Sequence, residues 1–337
     1  MRNLWFLLLL QLTLLGGTTV KIATYNVENL FDLKYNGTEY SEYIPNTIWQ
    51  WNAKTYRKKL HNIAQVIADI NPDIIALTEI ESDIALKDLQ KTLSQKGLYF
   101  RHRAIADKKN TSVKVALLSK HPIQKQELTV SQNQAFRNIL EAKVIVEDKP
   151  LYIFVNHWKS KSGPESKRIP YAKTLKKRLD TLPVNSNYIL AGDFNEHYEE
   201  HNTFIKKRKH NDTNGITGIN HILSTIDKNA QLYTKNTLKQ DGNYNLWMEL
   251  PEKERWTHIY RGKREALDHI IISPSLVNPE KSHYINGTFH SFTPSYLFTN
   301  GKNKKLYRWQ RSRSKPVHHI GKGYSDHLPI SAEFYIE

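Results

Sequence analysis

The sequence predicts a single α/β domain built on a mixed sheet. Strand-like and helix-like apolar patterns alternate along the chain, which favours layered packing of sheet and helix. Two of the strand runs meet at Asp148-Lys149-Pro150 as a hairpin, so the sheet cannot be purely parallel. Neither an internal repeat nor a linker divides the 337 residues, a length that suits one large domain.

Each element has its own signal. Val20–Val27 is a compact apolar strand that ends in the polar cluster Asn26, Glu28 and Asn29. From Thr55 to Ile70, apolar residues at Leu60, Ile63, Ala64, Ile67 and Ile70 have helical spacing, and Asn71-Pro72 stops the helix. Asp73–Ile80 is a buried-strand run with a carboxylate near its end, and Asp83 to about Gln95 is a second amphipathic helix closed by Gly97. Val113–Ser119, Ile139–Val146 and Leu151–Asn156 read as strands. A Lys/Arg-rich helix over Glu165–Leu179 precedes the strand Tyr188–Ala191. Residues 197–250 are polar and carry no clear period, and strands Leu267–Ser273 and Leu328–Ile336 close the chain.

The N-terminus reads as an address. Arg2 precedes an apolar run from Leu4 to Leu15 and small residues from Gly16 to Thr19, the layout of a signal peptide over residues 1–19. The run is shorter than the roughly 20 apolar residues of a membrane-spanning helix. A secreted or periplasmic domain over 20–337 is expected, monomeric and with no integral membrane association after cleavage; an uncleaved anchor or a buried first helix is the alternative.

Composition narrows the chemistry. With no Cys, disulfides, thiolate zinc sites and thiol nucleophiles are excluded, so any metal must sit on oxygen or imidazole. Lys and Arg number 49 against 33 Asp and Glu, and the resulting charge of +16 favours a polyanionic partner. An apolar fraction of 39% is enough for a packed core.

Polar residues recur at the strand ends: Asn26, Glu79, Asn156-His157, Asp193-Phe194-Asn195, Asp268-His269 and Asp326-His327. One such residue alone usually caps a helix or makes a turn. Six ends together offer hard oxygen ligands for Mg²⁺ or Ca²⁺ and imidazoles for proton transfer, a set suited to metal-assisted attack of water on a phosphoester. The phosphate-binding loop G-x-x-x-x-G-K-[ST], the nucleophile elbow G-x-S-x-G and the zinc motif H-E-x-x-H are all missing.

At these residues the chain resembles the endonuclease/exonuclease/phosphatase superfamily, the deoxyribonuclease I-like fold. Thr24-Tyr25-Asn26-Val27, Leu77-Thr78-Glu79, Asn156-His157-Trp158, Gly192-Asp193-Phe194-Asn195, Leu267-Asp268-His269-Ile270 and Ser325-Asp326-His327-Leu328-Pro329-Ile330 follow the family's motifs in family order. The wording around Asn26–Asp32 and Asn156–Lys161 is similar to the bacterial secreted endonuclease branch. The resemblance implies an α+β type, four-layer sandwich of two packed mixed β-sheets flanked by helices. It also implies roles. Glu79, helped by Asn26 and Asp326, would bind a divalent metal, Mg²⁺ first and Mn²⁺ or Ca²⁺ as alternatives. His327, oriented by Asp268, would act on the base side or hold the scissile phosphate, and Asp193 would activate or orient the attacking water. Asn195 would position phosphate, and His157 would stabilise or protonate the opposite side.

Arg137 resembles a phosphate-contacting Arg of the deoxyribonuclease branch, against the simpler reading of a solvated strand-edge charge. Trp158 is expected to pack, and His318-His319 to form an exposed loop pair. Glu28 and Glu81 are left outside the core site. Between Asn300 and Gly323 the basic residues Lys302, Lys304, Lys305, Arg308, Arg311, Arg313, Lys315 and Lys322 occur with no acid. Tyr307 and Trp309 interleave them, the combination that a nucleic-acid backbone and its bases would need. Lys304, Lys305, Arg308 and Arg311 are therefore the candidate nucleic-acid contacts, and clusters at 206–209 and 173–178 extend the bias. The expected function is a metal-dependent endonuclease acting on DNA, or on RNA, with little sequence preference. A phosphoesterase of lipid head groups or small phosphorylated solutes is the alternative on the same fold, with Tyr296-Leu297-Phe298 as its candidate membrane hairpin. A non-catalytic polyanion-binding protein is the alternative from another class.

Overall fold

The structure, a computed structural model, describes residues 16–337 except 109, 206 and 302–303. Its strands are β1 (Thr18–Leu30), β2 (Ile74–Ile80), β3 (His102–Ile105), β4 (Lys114–Ser119), β5 (Ile123–Leu128), β6 (Ile139–Val146), β7 (Lys149–His157) and β8 (Tyr188–Asp193). They continue with β9 (Tyr244–Asn245), β10 (His258–Tyr260), β11 (Lys263–Glu265), β12 (Asp268–Ile272), β13 (His283–Tyr284), β14 (His290–Ser291) and β15 (Ile330–Ile336). The α-helices are α1 (Ala53–Ile70), α2 (Asp83–Ser94), α3 (Ile169–Leu179) and the single turn α4 (Glu200–Thr203).

Among the described residues, two mixed sheets carry the fold. One runs β13-β15-β1-β2-β4-β3, with β14 also on β15, and the other runs β5-β6-β7-β8-β12-β9. Strand alternation decides what each face meets. Val20 and Ile22 of β1, Ile74 and Ala76 of β2 and Phe334 of β15 pack against Val144 of β6, Val155 of β7 and Ala191 of β8 between the sheets. The opposite faces carry Ala23, Tyr25, Ile75 and Leu77 toward Ile63 and Ile67 of α1 and Leu86 and Leu89 of α2. On the second sheet, Phe154 and Leu190 turn away from its partner toward Tyr171 and Leu175 of α3. The result is helix, sheet, sheet, helix: the four-layer sandwich expected from the motifs.

Local chemistry sets the ends of the elements. The Asn52 carboxamide caps α1 by accepting from the Lys54 and Thr55 amides, and Asn71 leaves the helix in a left-handed conformation at φ 51°. The Ser82 hydroxyl caps α2 at the Ala85 amide. Gly192 in β8 has φ +123°, and a Cβ there would lie 2.1 Å from the Asn156 carbonyl oxygen, so only glycine lets β7 and β8 run this close at the site.

The leader expected over residues 1–19 falls largely on residues 1–15, outside the described residues. Thr18 and Thr19 belong to β1, opposite Ile336 and Tyr335 of β15. Residues 197–250 are held by side-chain amides rather than by a periodic apolar face. Asn220 accepts from the His201 amide and donates to the Tyr198 carbonyl. A segment folded in this way leaves no periodic signal.

Candidate active site

Topology brings the polar strand ends to one edge of the sandwich. β1 and β2 are parallel, as are β7 and β8, and their C-terminal ends carry Asn26, Glu79, His157 and Asp193. β12 is antiparallel to β8, which places Asp268 directly opposite Asp193. β15 is antiparallel to β1, so Asp326 and His327, just before it, arrive at the same edge. Asn26, His157, Asp193 and Asp268 continue the parity of the residues buried between the sheets. Alternation alone would send Glu79 to the helix side. A bulge between Thr78 and Ile80, with Glu79 itself at φ +67°, turns its carboxylate back into the site.

The side chains form two connected halves. In one, the Asn26 amide nitrogen donates to Glu79 Oε1 at 3.0 Å and to Asp193 Oδ2 at 3.1 Å. In the other, His327 Nδ1 lies 2.7 Å from Asp268 Oδ2, which also accepts from the Thr257 hydroxyl at 2.6 Å. His157 Nε2 faces both carboxylates, 3.8 Å from Glu79 and 3.7 Å from Asp193. Those separations exceed hydrogen-bond lengths, so His157 makes no direct hydrogen bond to either carboxylate. The Asn195 amide donates to Asp193 Oδ1 at 2.8 Å, and its carboxamide donates to the Trp158 carbonyl.

Burial sets the charges. It pushes Asp193 up to about 7 against the pull of His327, with Asp268 adding repulsion. Burial also raises Glu79, and Asp326 adds to the rise. On His327 burial opposes the charge, yet Asp268, Asp193 and Asp326 together hold the imidazolium well above its ordinary range. Burial keeps His157 well below that range, and the charges of Arg137 and His327 lower it further. One imidazole of the site is therefore cationic and the other neutral near pH 7.

Arg137 lies against Tyr40 and Tyr171, and its charge reaches Glu79 and His157. Arg308 also enters the edge, although its guanidinium is committed to acids. Its Nε donates to Glu28 at 2.8 Å, and Nη2 lies 3.0 Å from Asp326. Arg311 pairs with Glu42 at 3.2 Å, while Lys304 and Lys305 are exposed. Lys206 and Lys302 lie outside the described residues.

Several expectations need correction. Asn26, expected to help hold a metal, accepts from the Glu28 amide at 3.0 Å through its oxygen, while its NH₂ group faces the carboxylates. It bridges Glu79 and Asp193 as a donor. Trp309 is buried against Trp51, with its indole NH on His319 Nδ1, and is not free to stack on bases. His319 is buried rather than exposed, with Nε2 on the Glu42 carbonyl. Leu297 is buried and Tyr296 and Phe298 pack beside it in the α1 and α2 layer, so no membrane hairpin forms there. His269 is also structural, bonded to Asn245 and to the Glu196 carbonyl. Trp158 is fully buried, as expected.

The sequence reading missed four supports. Thr257 braces Asp268, and His258, held down to about 4 by burial, lies with its ring 4.8 Å from that of His327. Both belong to the short run Trp256–Tyr260, whose aromatic and β-branched residues were the available signal. The Ser325 hydroxyl ties the Asp326 segment to the Asn26 carbonyl at 2.7 Å. Buried Lys59 donates to the Tyr324 carbonyl at 2.9 Å.

A divalent cation fits this donor set. Asp193 and Asp268 bring carboxylate oxygens within 4.8 Å of one another, and Asp268 Oδ1 is buried with no hydrogen-bond partner, whereas His327, held as an imidazolium, has no lone pair to offer a metal. Burial raises the Glu79 and Asp193 carboxylates, and a hard cation would relieve that cost. Among the described residues, no helix is long and apolar enough to cross a membrane.

Comparison with known proteins agrees with this arrangement. The family model described as endonuclease/exonuclease/phosphatase matches residues 21–236. No curated protein matches. Among solved structures, a humanized *D. rerio* TDP2 is 14% identical with a TM-score of 0.56, covering 94% of this chain and 98% of that one. An AP endonuclease from *Archaeoglobus fulgidus* is 15% identical with a TM-score of 0.55, covering 93% and 98%. A *Bacteroides thetaiotaomicron* mannosyl-6-phosphatase is 16% identical with a TM-score of 0.54, covering 94% and 99%. The fold is therefore shared across enzymes named for different substrates. With its motifs converging on one edge and more than half its length matched, the chain belongs to the endonuclease/exonuclease/phosphatase family of phosphoester hydrolases.

Proposed function

We propose that the protein is an exported, divalent-metal-dependent endonuclease that hydrolyses DNA, or RNA, with little sequence preference, acting as a monomer. The observation that carries the chemistry is the placement of Asp193 between two systems, Asn26–Glu79 on one side and Asp268–His327 on the other. Near pH 7 the buried Asp193 carboxylate is basic enough to take a proton from an attacking water. The His327 imidazolium, fixed by Asp268, holds a non-bridging phosphate oxygen and stabilises the charge that grows there. Neutral His157 faces the same space, and Asn195 is locked beside Asp193 to orient the phosphate. Glu79 and Asp326 would hold the cation, Mg²⁺ first and Mn²⁺ or Ca²⁺ as alternatives, with Asp193 in reach. When bound, the ion supplies Lewis-acid stabilisation of the phosphoryl oxygens.

The nucleic-acid substrate is supported by the charge of +16 and by the exposed Lys304 and Lys305. Export is supported by the Arg2–Thr19 pattern. The similarity to a sugar-phosphate phosphatase favours a second reading, a phosphatase of small solutes. Supercoiled plasmid, RNA, bis-p-nitrophenyl phosphate, a sugar phosphate and sphingomyelin, each with and without EDTA, separate these readings. Plasmid nicking abolished by EDTA is expected. Hydrolysis of the sugar phosphate alone would replace the endonuclease reading, and binding without turnover would leave only a polyanion-binding protein.

A further inference from the structure

A cavity of about 640 Å³ lies outside the catalytic edge, between the start of α1 and the 318–321 segment. Lys54, Arg57, Lys58 and His61 of α1 line it with His318, and no carboxylate does. All four α1 residues are exposed. Among the described residues, Lys54, Arg57 and Lys58 have no ion-pair partner, whereas Arg308 and Arg311 on the neighbouring segment are paired with acids. The N-terminal end of α1 adds its own positive potential. A concave surface with unpaired cations and no acid is suited to a repeated anion.

Its position says which anion. The segment that walls the cavity continues into the active site. Gly321 lies against the Lys58 side chain, with its Cβ position 3.7 Å from Lys58 Cγ. The Gly323 carbonyl accepts from Asn62 at 2.8 Å, and the Tyr324 carbonyl accepts from Lys59. Asp326 and His327 follow. Gly321 and Asp326 are five steps apart along the chain, so the two lie at most about 18 Å apart. At a rise of about 3.4 Å per base pair, that span is at most about five base pairs of duplex.

We propose that this cavity is a second backbone-binding site, which takes the phosphates of nucleic acid flanking the scissile bond through Lys54, Arg57 and Lys58. The proposal rests on the nuclease reading and assigns contacts that the Lys304–Arg311 run does not supply. Substrates extending more than about five base pairs past the cleaved bond, on the side toward α1, reach these contacts, and a single phosphodiester does not.

The test compares two triple variants with equal loss of charge. One is Lys54→Gln/Arg57→Gln/Lys58→Gln. The other, Lys149→Gln/Lys239→Gln/Lys281→Gln, changes Lys149 and Lys281 at the edge where β7 begins, opposite the site, and the exposed Lys239 next to Gln240 of the same cavity wall. Fluorescence anisotropy with a long duplex in EDTA reads affinity against salt, and bis-p-nitrophenyl phosphate with metal reads the chemistry. The α1 variant is expected to lose about tenfold in affinity, with a log–log salt slope shallower by about two to three, as loss of three phosphate contacts requires. Its hydrolysis of the small ester should match wild type. Equal losses in both variants, an unchanged slope in the α1 variant, or slowed small-ester hydrolysis would overturn the proposal. If wild type cleaves DNA and the α1 variant behaves like its control, this site alone falls. If wild type neither binds nor cleaves nucleic acid, the nuclease reading falls and takes this site with it.

Discussion

At the scale of single residues, protonation decides activity. Asp193 is raised to about 7 by burial, so its carboxylate is protonated below that pH and ionised above it. Both water activation and cation binding need the ionised form. The rate at limiting metal is therefore expected to rise with pH up to about 7 and then level off, with a fall of about tenfold per unit on the acid side. A pH–rate profile of kcat/KM measures this directly, and a rate independent of pH between 5 and 7 would count against Asp193 as the base. His157→Ala should leave that acid limb in place, because its imidazole is neutral across the range. At this scale most of the site was legible. Asp193, Asp268, His157 and His327 sit in motifs, and strand parity alone turns three of them inward. What was not legible was orientation: the Glu28 amide claims the Asn26 oxygen, and that contact depends on a turn with φ 52° at Glu28 and 62° at Asn29.

At the scale of elements, the 305–325 segment shows how charge can mislead. Read as sequence, it is a basic run open to solvent. In the fold, Arg308 and the Trp309 amide clasp Glu28, and the Trp309 ring is buried among Trp51 and His319. The segment is anchored by its aromatic residue and its first arginine, which leaves the lysines outward. Trp309→Ala should therefore act on stability, at a cost of about 3–5 kcal/mol, rather than on single-strand binding. Thermal denaturation checks this; an unchanged melting temperature with selective loss of single-strand affinity would restore the stacking role. Long elements with a clear period, such as α1 and β2, were found within a few residues of their ends. β3 and β5 were missed because each is short and one of them is largely polar on its exposed edge. The order of strands across the sheets was not in the apolar pattern at all. The motif resemblance implied two packed mixed sheets but no strand order, which the structure supplies, since long-range pairing leaves no local signature.

At the scale of the whole molecule, the two sheets present six strand ends to one rim, and the family match and the donor chemistry both point to hydrolysis of a phosphoester there. The solved relatives share the scaffold while being named for different substrates, so the rim's chemistry and its surrounding charge must be tested apart. The most direct measurement is single-turnover hydrolysis of a phosphodiester by wild type and by Asp193→Asn, with Mg²⁺ and after chelation. The account predicts metal-dependent cleavage by wild type and a loss of about 10²–10⁴-fold in the variant, with its fold and melting temperature retained. Cleavage by Asp193→Asn at the wild-type rate, or full wild-type activity after exhaustive chelation, would contradict it.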